Sequence, residues 1–92
     1  MATQQEVRPN TDQREKVGEL LETIIGKHVI HSLGRPSNLH RVQVRPLWNS
    51  HFRVNILVGA DAASVKVVHS YFLVADLDGN IIESTPKITK QY

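Results

Sequence analysis

Alternating polar positions in the middle of the chain form the clearest surface for chemistry. Two neighbouring runs alternate apolar with polar residues, and the polar set is Arg41, Gln43, Arg45, Arg53 and Asn55. Because guanidinium groups form forked hydrogen bonds with phosphate or carboxylate, three arginines on one surface would attract an anionic partner. Residues 29–70 hold five Lys or Arg and one acidic residue, a net +4, whereas the whole chain carries +2. The positive charge is therefore concentrated where these residues lie.

The histidines make a weaker case for a metal site. His28 and His31 stand three residues apart. That spacing lets two side chains bind one metal on a helix, but directs them to opposite faces of a strand. No third ligand stands at a suitable spacing nearby, and the chain has no cysteine, which excludes disulfides and thiolate zinc sites. We expect no metal and no cofactor.

The segment from Asp76 to Asn80 has the residue types of a calcium loop without its spacing. The position that needs a bidentate glutamate is Lys87, and the glycine falls two residues early. An Asp-Gly turn between two strands explains the same residues, because glycine readily adopts a positive φ. The sequence also lacks a nucleophile elbow and a phosphate-binding loop, so it favours a non-catalytic protein over an enzyme.

The first element that would position these residues is a helix. Asn10 or Thr11 can cap it, and Asp12 and Glu15 follow in the first turn, where the helix dipole favours negative charge. Apolar residues then recur at the three-and-four spacing of an amphipathic helix: Val17, Leu20, Leu21, Ile24 and Ile25. Gly26 suits the left-handed position that ends a helix.

Residues 29–33 can be interpreted in two ways. A helix that continued to Gly34, with Pro36 as its terminator, would move Val29 and Leu33 away from the apolar stripe. The β-branched residues and the alternation of Val29, His31 and Leu33 instead favour a short strand. We adopt the strand and keep the longer helix as the alternative.

Residues 41–58 predict a β-hairpin with one apolar face. Its loop is Asn49–His51, and the apolar positions are Val42, Val44, Pro46, Trp48, Phe52, Val54, Ile56 and Val58. Because opposed residues share a face, a three-residue loop brings the two apolar rows together. It pairs Trp48 with Phe52 and Val44 with Ile56. Trp48 and Phe52 are then expected on the buried side, opposite the arginines.

A longer strand, Val65–Ala75, is apolar on both faces, and a turn at Asp78–Asn80 leads to a last strand, Ile81–Ser84. The predicted fold is α+β, an N-terminal α-helix packed on a four- or five-stranded antiparallel β-meander. We expect one domain over residues 10–84, a flexible N-terminal tail over residues 1–9, and a C-terminal tail over residues 85–92.

Two functions follow from this arrangement. Exposed Leu47 and Leu57, together with the two-sided apolar strand, favour a protein partner or self-association. If His69 and Tyr71 share the face of the arginines, an aromatic group lies beside the charges, which suits single-stranded nucleic acid. We predict a small interaction module acting through a sheet face or edge, with nucleic-acid binding by the basic face as the alternative.

The sequence also bears on location. It contains no apolar run of the roughly 20 residues that a membrane helix needs. Its first residues lack the basic and apolar regions of a secretory signal. We therefore expect a cytoplasmic protein without membrane contact.

Overall fold

The computed structural model shows one helix packed on one face of a four-stranded antiparallel sheet. It describes residues 18–92 in full, and the helix that enters this range, α1, has the bounds Ala2–Leu33. The strands, in both chain order and sheet order, are β1 (Leu39–Pro46), β2 (His51–Val58), β3 (Lys66–Ala75) and β4 (Ile81–Thr85). The α+β meander predicted from the sequence is confirmed.

α1 buries a row of residues spaced four apart. Ile25, Val29 and Leu33 have no exposed surface, whereas Leu20 is 60% exposed. Each step of four residues turns about 40° around a helix, so this row winds gradually away from the stripe that the sequence indicated. The predicted break at Gly26 and the predicted strand over residues 29–33 are therefore wrong, and the alternative of a longer helix is right.

Glycine ends α1 eight residues, or about two turns, later than expected. Gly34 has a φ of 92°, and its N–H donates to the Ile30 carbonyl at 2.7 Å. This is the left-handed position that glycine favours after the last helical residue. Gly26 serves a different purpose, because a Cβ there would lie 3.4 Å from Cγ1 of Val42. Its missing side chain lets α1 lie close to β1.

The β1–β2 hairpin brings its apolar rows together as predicted, but in a different register. Val44 lies opposite Val54 and Pro46 opposite Phe52, two residues away from the predicted pairs. The loop keeps three residues but begins at Trp48, because the Leu47 N–H donates to the His51 carbonyl at 2.9 Å. The predicted pairing of Trp48 with Phe52 is therefore wrong.

The core lies between α1 and the inner face of the sheet, the face that α1 covers. β2 and β3 are the central strands and provide its sheet side. Their core residues are at most 5% exposed: Phe52, Val54, Ile56, Tyr71, Leu73 and Ala75. We call the opposite side of the sheet the outer face. No helix in the described residues is both long enough and apolar enough to cross a bilayer.

The end of the chain packs against the domain. The N–H groups of Gln91 and Tyr92 both donate to the Leu33 carbonyl, at 2.7 and 3.1 Å, and Ile88 packs against the core. Residues 85–92 were expected to form a C-terminal tail, but Thr85 belongs to β4, and Gln91 and Tyr92 provide hydrogen-bond donors for the last carbonyl of α1. The predicted tail over residues 1–9 and the predicted cap at residues 10–11 lie outside the fully described residues.

Candidate binding face of the sheet

The outer face holds the five polar residues singled out from the sequence. In β1 and β2, Gln43 lies opposite Asn55, Arg45 opposite Arg53, and Arg41 opposite Leu57. Phe52, Val54 and Ile56 alternate with these positions and are buried on the inner face. All three arginines are exposed. The strand pairing therefore gathers them on one solvent-facing surface.

Hydrogen bonds link the middle of this surface across three strands. The Asn55 side-chain N–H donates to Oε1 of Gln43 at 3.0 Å, and the Ser70 hydroxyl donates to Oδ1 of Asn55 at 2.7 Å. A longer contact of 3.4 Å joins the Arg53 guanidinium to the Ser70 hydroxyl. This row extends to Arg53, while Arg41 and Arg45 lie on β1 at the edge of the sheet.

An aromatic cluster lies beside the polar row. Trp48 stacks on His51 with ring centroids 5.0 Å apart, and Phe72 lies 5.9 Å from Trp48 and 5.5 Å from His51. The Arg53 guanidinium carbon is 5.9 Å from the centre of the Phe72 ring. Trp48 is 57% exposed. Its predicted place on the buried side is wrong, because it belongs to the hairpin loop and not to β1.

His69 and Tyr71 lie on the inner face. Tyr71 pairs with Val54 and His69 with Ile56, and Tyr71 is only 4% exposed. Burial raises the pKa of the Tyr71 phenol, and the nearby Tyr92 raises it further. The two residues therefore do not join the arginines. Sequence reasoning missed Phe72, since a strand with apolar residues on both faces does not show which face meets the helix.

Two other groups of polar residues have structural partners. Nδ1 of His28 lies 2.6 Å from the Gly79 carbonyl oxygen and so ties α1 to the β3–β4 turn. Oδ1 of Asp76 accepts the backbone N–H groups of Asp78 and Asn80, both at 2.9 Å, in the turn that Gly79 completes with a φ of 83°. The predicted Asp-Gly turn is confirmed. Within residues 18–92, no three His, Cys, Asp or Glu residues come together as metal ligands would.

A groove of about 510 Å³ is lined by residues of α1 and β1. Its half-buried apolar lining comes from Ile30, Leu39, Val42 and Val44. Exposed Lys27 and Arg35 line it with positive charge, and Glu22 lines it with negative charge. The sequence did not predict this groove, because it exists only if α1 continues past Gly26.

Comparisons with protein-family models, curated proteins and solved structures returned no match. What this chain binds must therefore be inferred from its own surface. The two features to be explained are the outer face, with its arginines and aromatic rings, and the groove beside β1.

Proposed function

We propose that this chain is a non-catalytic interaction module that binds a protein partner through the outer face of its sheet. The observation that carries the proposal is an exposed aromatic cluster beside arginines on the side of the sheet away from α1. Trp48 is 57% and Val68 36% exposed there. Aromatic rings and arginine dominate binding energy at protein interfaces, and a patch that mixes them is typical of a contact surface.

The charges indicate what kind of protein surface would fit. Arg41, Arg45 and Arg53 are exposed on the outer face. The same face also carries an acidic residue, Glu83 of β4, which pairs with Val74. Two copies packed face to face would bring arginines into one interface, where like charges repel each other strongly. A partner with an apolar centre and an acidic rim complements the face better than a second copy does.

A peptide library provides the test. Random peptides displayed on phage are selected against the immobilised protein, and the affinity of each selected sequence is then measured by biolayer interferometry. We expect the double variant Trp48→Ala/Arg53→Ser to bind the selected peptides at least tenfold more weakly. Leu77→Ala is the matched control, because Leu77 is 90% exposed in the β3–β4 turn, away from the outer face.

Two results would count against a protein partner at this face. One is a selection whose binders are indifferent to the double variant. The other is a concentration-dependent dimer in light scattering that the double variant converts to a monomer, which would assign the outer face to a second copy.

Single-stranded nucleic acid is the second candidate, and the aromatic cluster is the observation that favours it. Bases stack on aromatic side chains, and arginines pair with phosphates. Trp48, His51 and Phe72 offer such rings within 6 Å of one another, next to Arg53.

Fluorescein-labelled DNA and RNA 12-mers of mixed sequence test this second candidate by fluorescence polarisation at low and at moderate salt. Binding should weaken steeply with salt, because phosphate contacts release counterions. It should also weaken in Trp48→Ala, since base stacking contributes about 1–3 kcal/mol per base. The absence of binding at low salt would remove nucleic acid from consideration.

A further inference from the structure

The edge of the sheet at β1 is a surface distinct from the outer face. β1 is eight residues long and hydrogen-bonds to β2 on one side. No other strand of the described chain pairs with its second side. A strand in this position presents a row of backbone N–H and C=O groups, to which an extended segment of another chain can add.

The groove lies directly along this edge and is suited to side chains of an added strand. Val42 and Val44 point from β1 toward α1, which comes so close at Gly26 that a Cβ there would meet Val42 at 3.4 Å. Ile30 lines the groove from the helix. Side chains on neighbouring strands lie about 5 Å apart. Every second residue of an added strand would therefore enter an apolar space beside these residues.

The other face of the same strand would meet positive charge. Arg41 and Arg45 are exposed on the outer face of β1, with Gln43 between them. Opposite charges on neighbouring strands stabilise a sheet. Two acidic residues four positions apart in the added strand would lie across from the two arginines. Lys27 and Arg35 also line the groove and attract an acidic segment, while Glu22 there offsets part of this attraction.

The same arginines argue against a second copy at this edge. An antiparallel pair of β1 strands related by a two-fold axis at Gln43 would place Arg41 of one copy opposite Arg45 of the other. Like charges directly opposite each other destabilise a strand pair. A different chain with acidic residues opposite both arginines therefore complements the edge better than a second copy in this register does.

We propose that β1 and the α1–β1 groove bind an extended peptide segment of a partner protein, in which apolar residues alternate with polar ones and two of the polar ones, four positions apart, are acidic. The segment adds to the sheet as a fifth strand. This inference rests on the proposed function only in taking the chain to be a protein-binding module, because it uses the edge and not the outer face.

The probe is a heptapeptide, Val-Glu-Val-Thr-Val-Glu-Val, labelled with carboxyfluorescein and amidated at its C-terminus. Its binding to the full chain is measured by fluorescence polarisation. We expect it to bind at least tenfold more tightly than the same composition in the order Val-Val-Glu-Thr-Glu-Val-Val. In an antiparallel pair, alternate residues point their N–H groups toward the neighbouring strand. Two methylated versions of the peptide are therefore compared, one N-methylated at its Val residues and the other at its Glu and Thr residues. Only the version whose methyl groups replace the N–H groups that face β1 should lose binding.

Variants of the protein locate the site. Thr23 is exposed on α1 and lines the groove, so Thr23→Trp should block it and weaken binding at least tenfold. Ser32→Trp is the matched control, because Ser32 is exposed on the side of α1 toward β4. Arg41→Glu/Arg45→Glu should reverse the preference, favouring a peptide with Lys in place of both Glu residues.

Equal binding of the two peptide orders, an equal effect of the two methylation patterns, or an unchanged affinity in Thr23→Trp would overturn the inference. So would a dimer that Thr23→Trp dissociates, which would assign the edge to a second copy. One pattern separates this inference from the proposed function. The phage-selected peptides would depend on Trp48 and Arg53, and Thr23→Trp would change the binding of neither those peptides nor the heptapeptide. The inference would then fail, and the proposed function would stand. The reverse pattern would locate binding at the edge and not at the outer face.

Discussion

At the scale of single residues, the Asp76 carboxylate organises the β3–β4 turn. Hydrogen bonds from the backbone of Asn80, then from its side chain and from the backbone of Asp78, lower the pKa of Asp76. These donors favour the ionised form, because a carboxylate accepts hydrogen bonds from N–H groups better than a carboxylic acid does. The charge on Asp76 therefore stabilises the folded turn.

Asp76→Ala should lower the urea concentration at the midpoint of unfolding at pH 7. A carboxyl whose pKa is lower in the folded protein stabilises it above the unfolded pKa of about 3.9 and loses that contribution as the pH falls through the folded value. The difference between wild type and Asp76→Ala should therefore shrink below about pH 4. Asp78→Ala serves as the control. A difference that is the same at pH 7 and pH 3 would contradict this account.

Two glycines should respond oppositely to alanine. Gly79 has a φ of 83°, and a Cβ there would lie 2.5 Å from Cγ2 of Ile24. Gly79→Ala should lower the free energy of unfolding by more than about 1 kcal/mol. Gly18 lies within α1, and no atom of the fully described residues would come within 4 Å of an alanine Cβ there, so Gly18→Ala should raise the free energy of unfolding by about 0.5–1 kcal/mol. Chemical denaturation of both variants measures the contrast, and a loss of stability in Gly18→Ala would be unexpected.

At the scale of elements, the apolar spacing of α1 predicted a helix but not which residues it buries. Leu21 and Ile25 belong to the observed buried row, whereas Leu20 is mostly exposed. Gly26 and the β-branched residues after it suggested a strand from local preference alone. Tertiary contacts outweigh that local preference: Gly26 packs against β1, and Val29 and Leu33 are buried in the core.

Substitution of two leucines in α1 tests whether the helix buries the observed row or the stripe predicted from the sequence. Leu33→Ala should lower the free energy of unfolding by about 2–5 kcal/mol, because Leu33 is fully buried. Leu20→Ala should change it by less than about 0.5 kcal/mol, since Leu20 is 60% exposed. Urea unfolding followed by circular dichroism measures both. Equal losses in the two variants would mean that α1 packs differently.

The β1–β2 hairpin shows how far alternation can predict a strand pair. Alternation correctly predicted that Val42 and Val44 share a face with Val54 and Ile56. It could not predict the register to better than two residues, because a shift of two preserves every face. Asn49, with a φ of 50°, belongs to a loop that starts at Trp48, and loop conformation is not encoded in alternation.

At the scale of the whole molecule, the last residues of the chain stabilise the end of α1. The final carbonyls of a helix lack partners within the helix. The Leu33 carbonyl accepts the N–H groups of Gln91 and Tyr92, and the Tyr92 hydroxyl lies 2.9 Å from Nε2 of His69. These polar residues resemble a tail in the sequence because the contacts that order them come from distant positions.

A chain that lacks Gln91 and Tyr92 should be less stable than the full chain. The two backbone hydrogen bonds to Leu33 contribute about 0.5–1.5 kcal/mol each, and the contact of Tyr92 with His69 is lost as well, so the free energy of unfolding should fall by at least about 1 kcal/mol. Denaturant titration measures the change, with Lys90→Ala as a control at an exposed neighbouring position. An unchanged midpoint in the shortened chain would show that the contact with Leu33 contributes nothing.

The candidate site was predicted in part. Alternation alone placed Arg41, Arg45 and Arg53 on one face, and the structure shows them exposed there. The aromatic part of the face depends on the loop position of Trp48 and on which side of β3 meets α1. The groove depends on the length of α1. These features arise from packing between elements, so no short stretch of sequence contains them.

The order of the strands has a consequence for synthesis on the ribosome. Each strand of the sheet pairs with the strand that precedes it in the chain, so every pairing is a hairpin. β1 and β2 can therefore pair before β3 has emerged from the ribosome, and no early strand waits for a late one. The contacts of α1 do wait for later residues, since His28 meets Gly79 and Leu33 meets Gln91 and Tyr92.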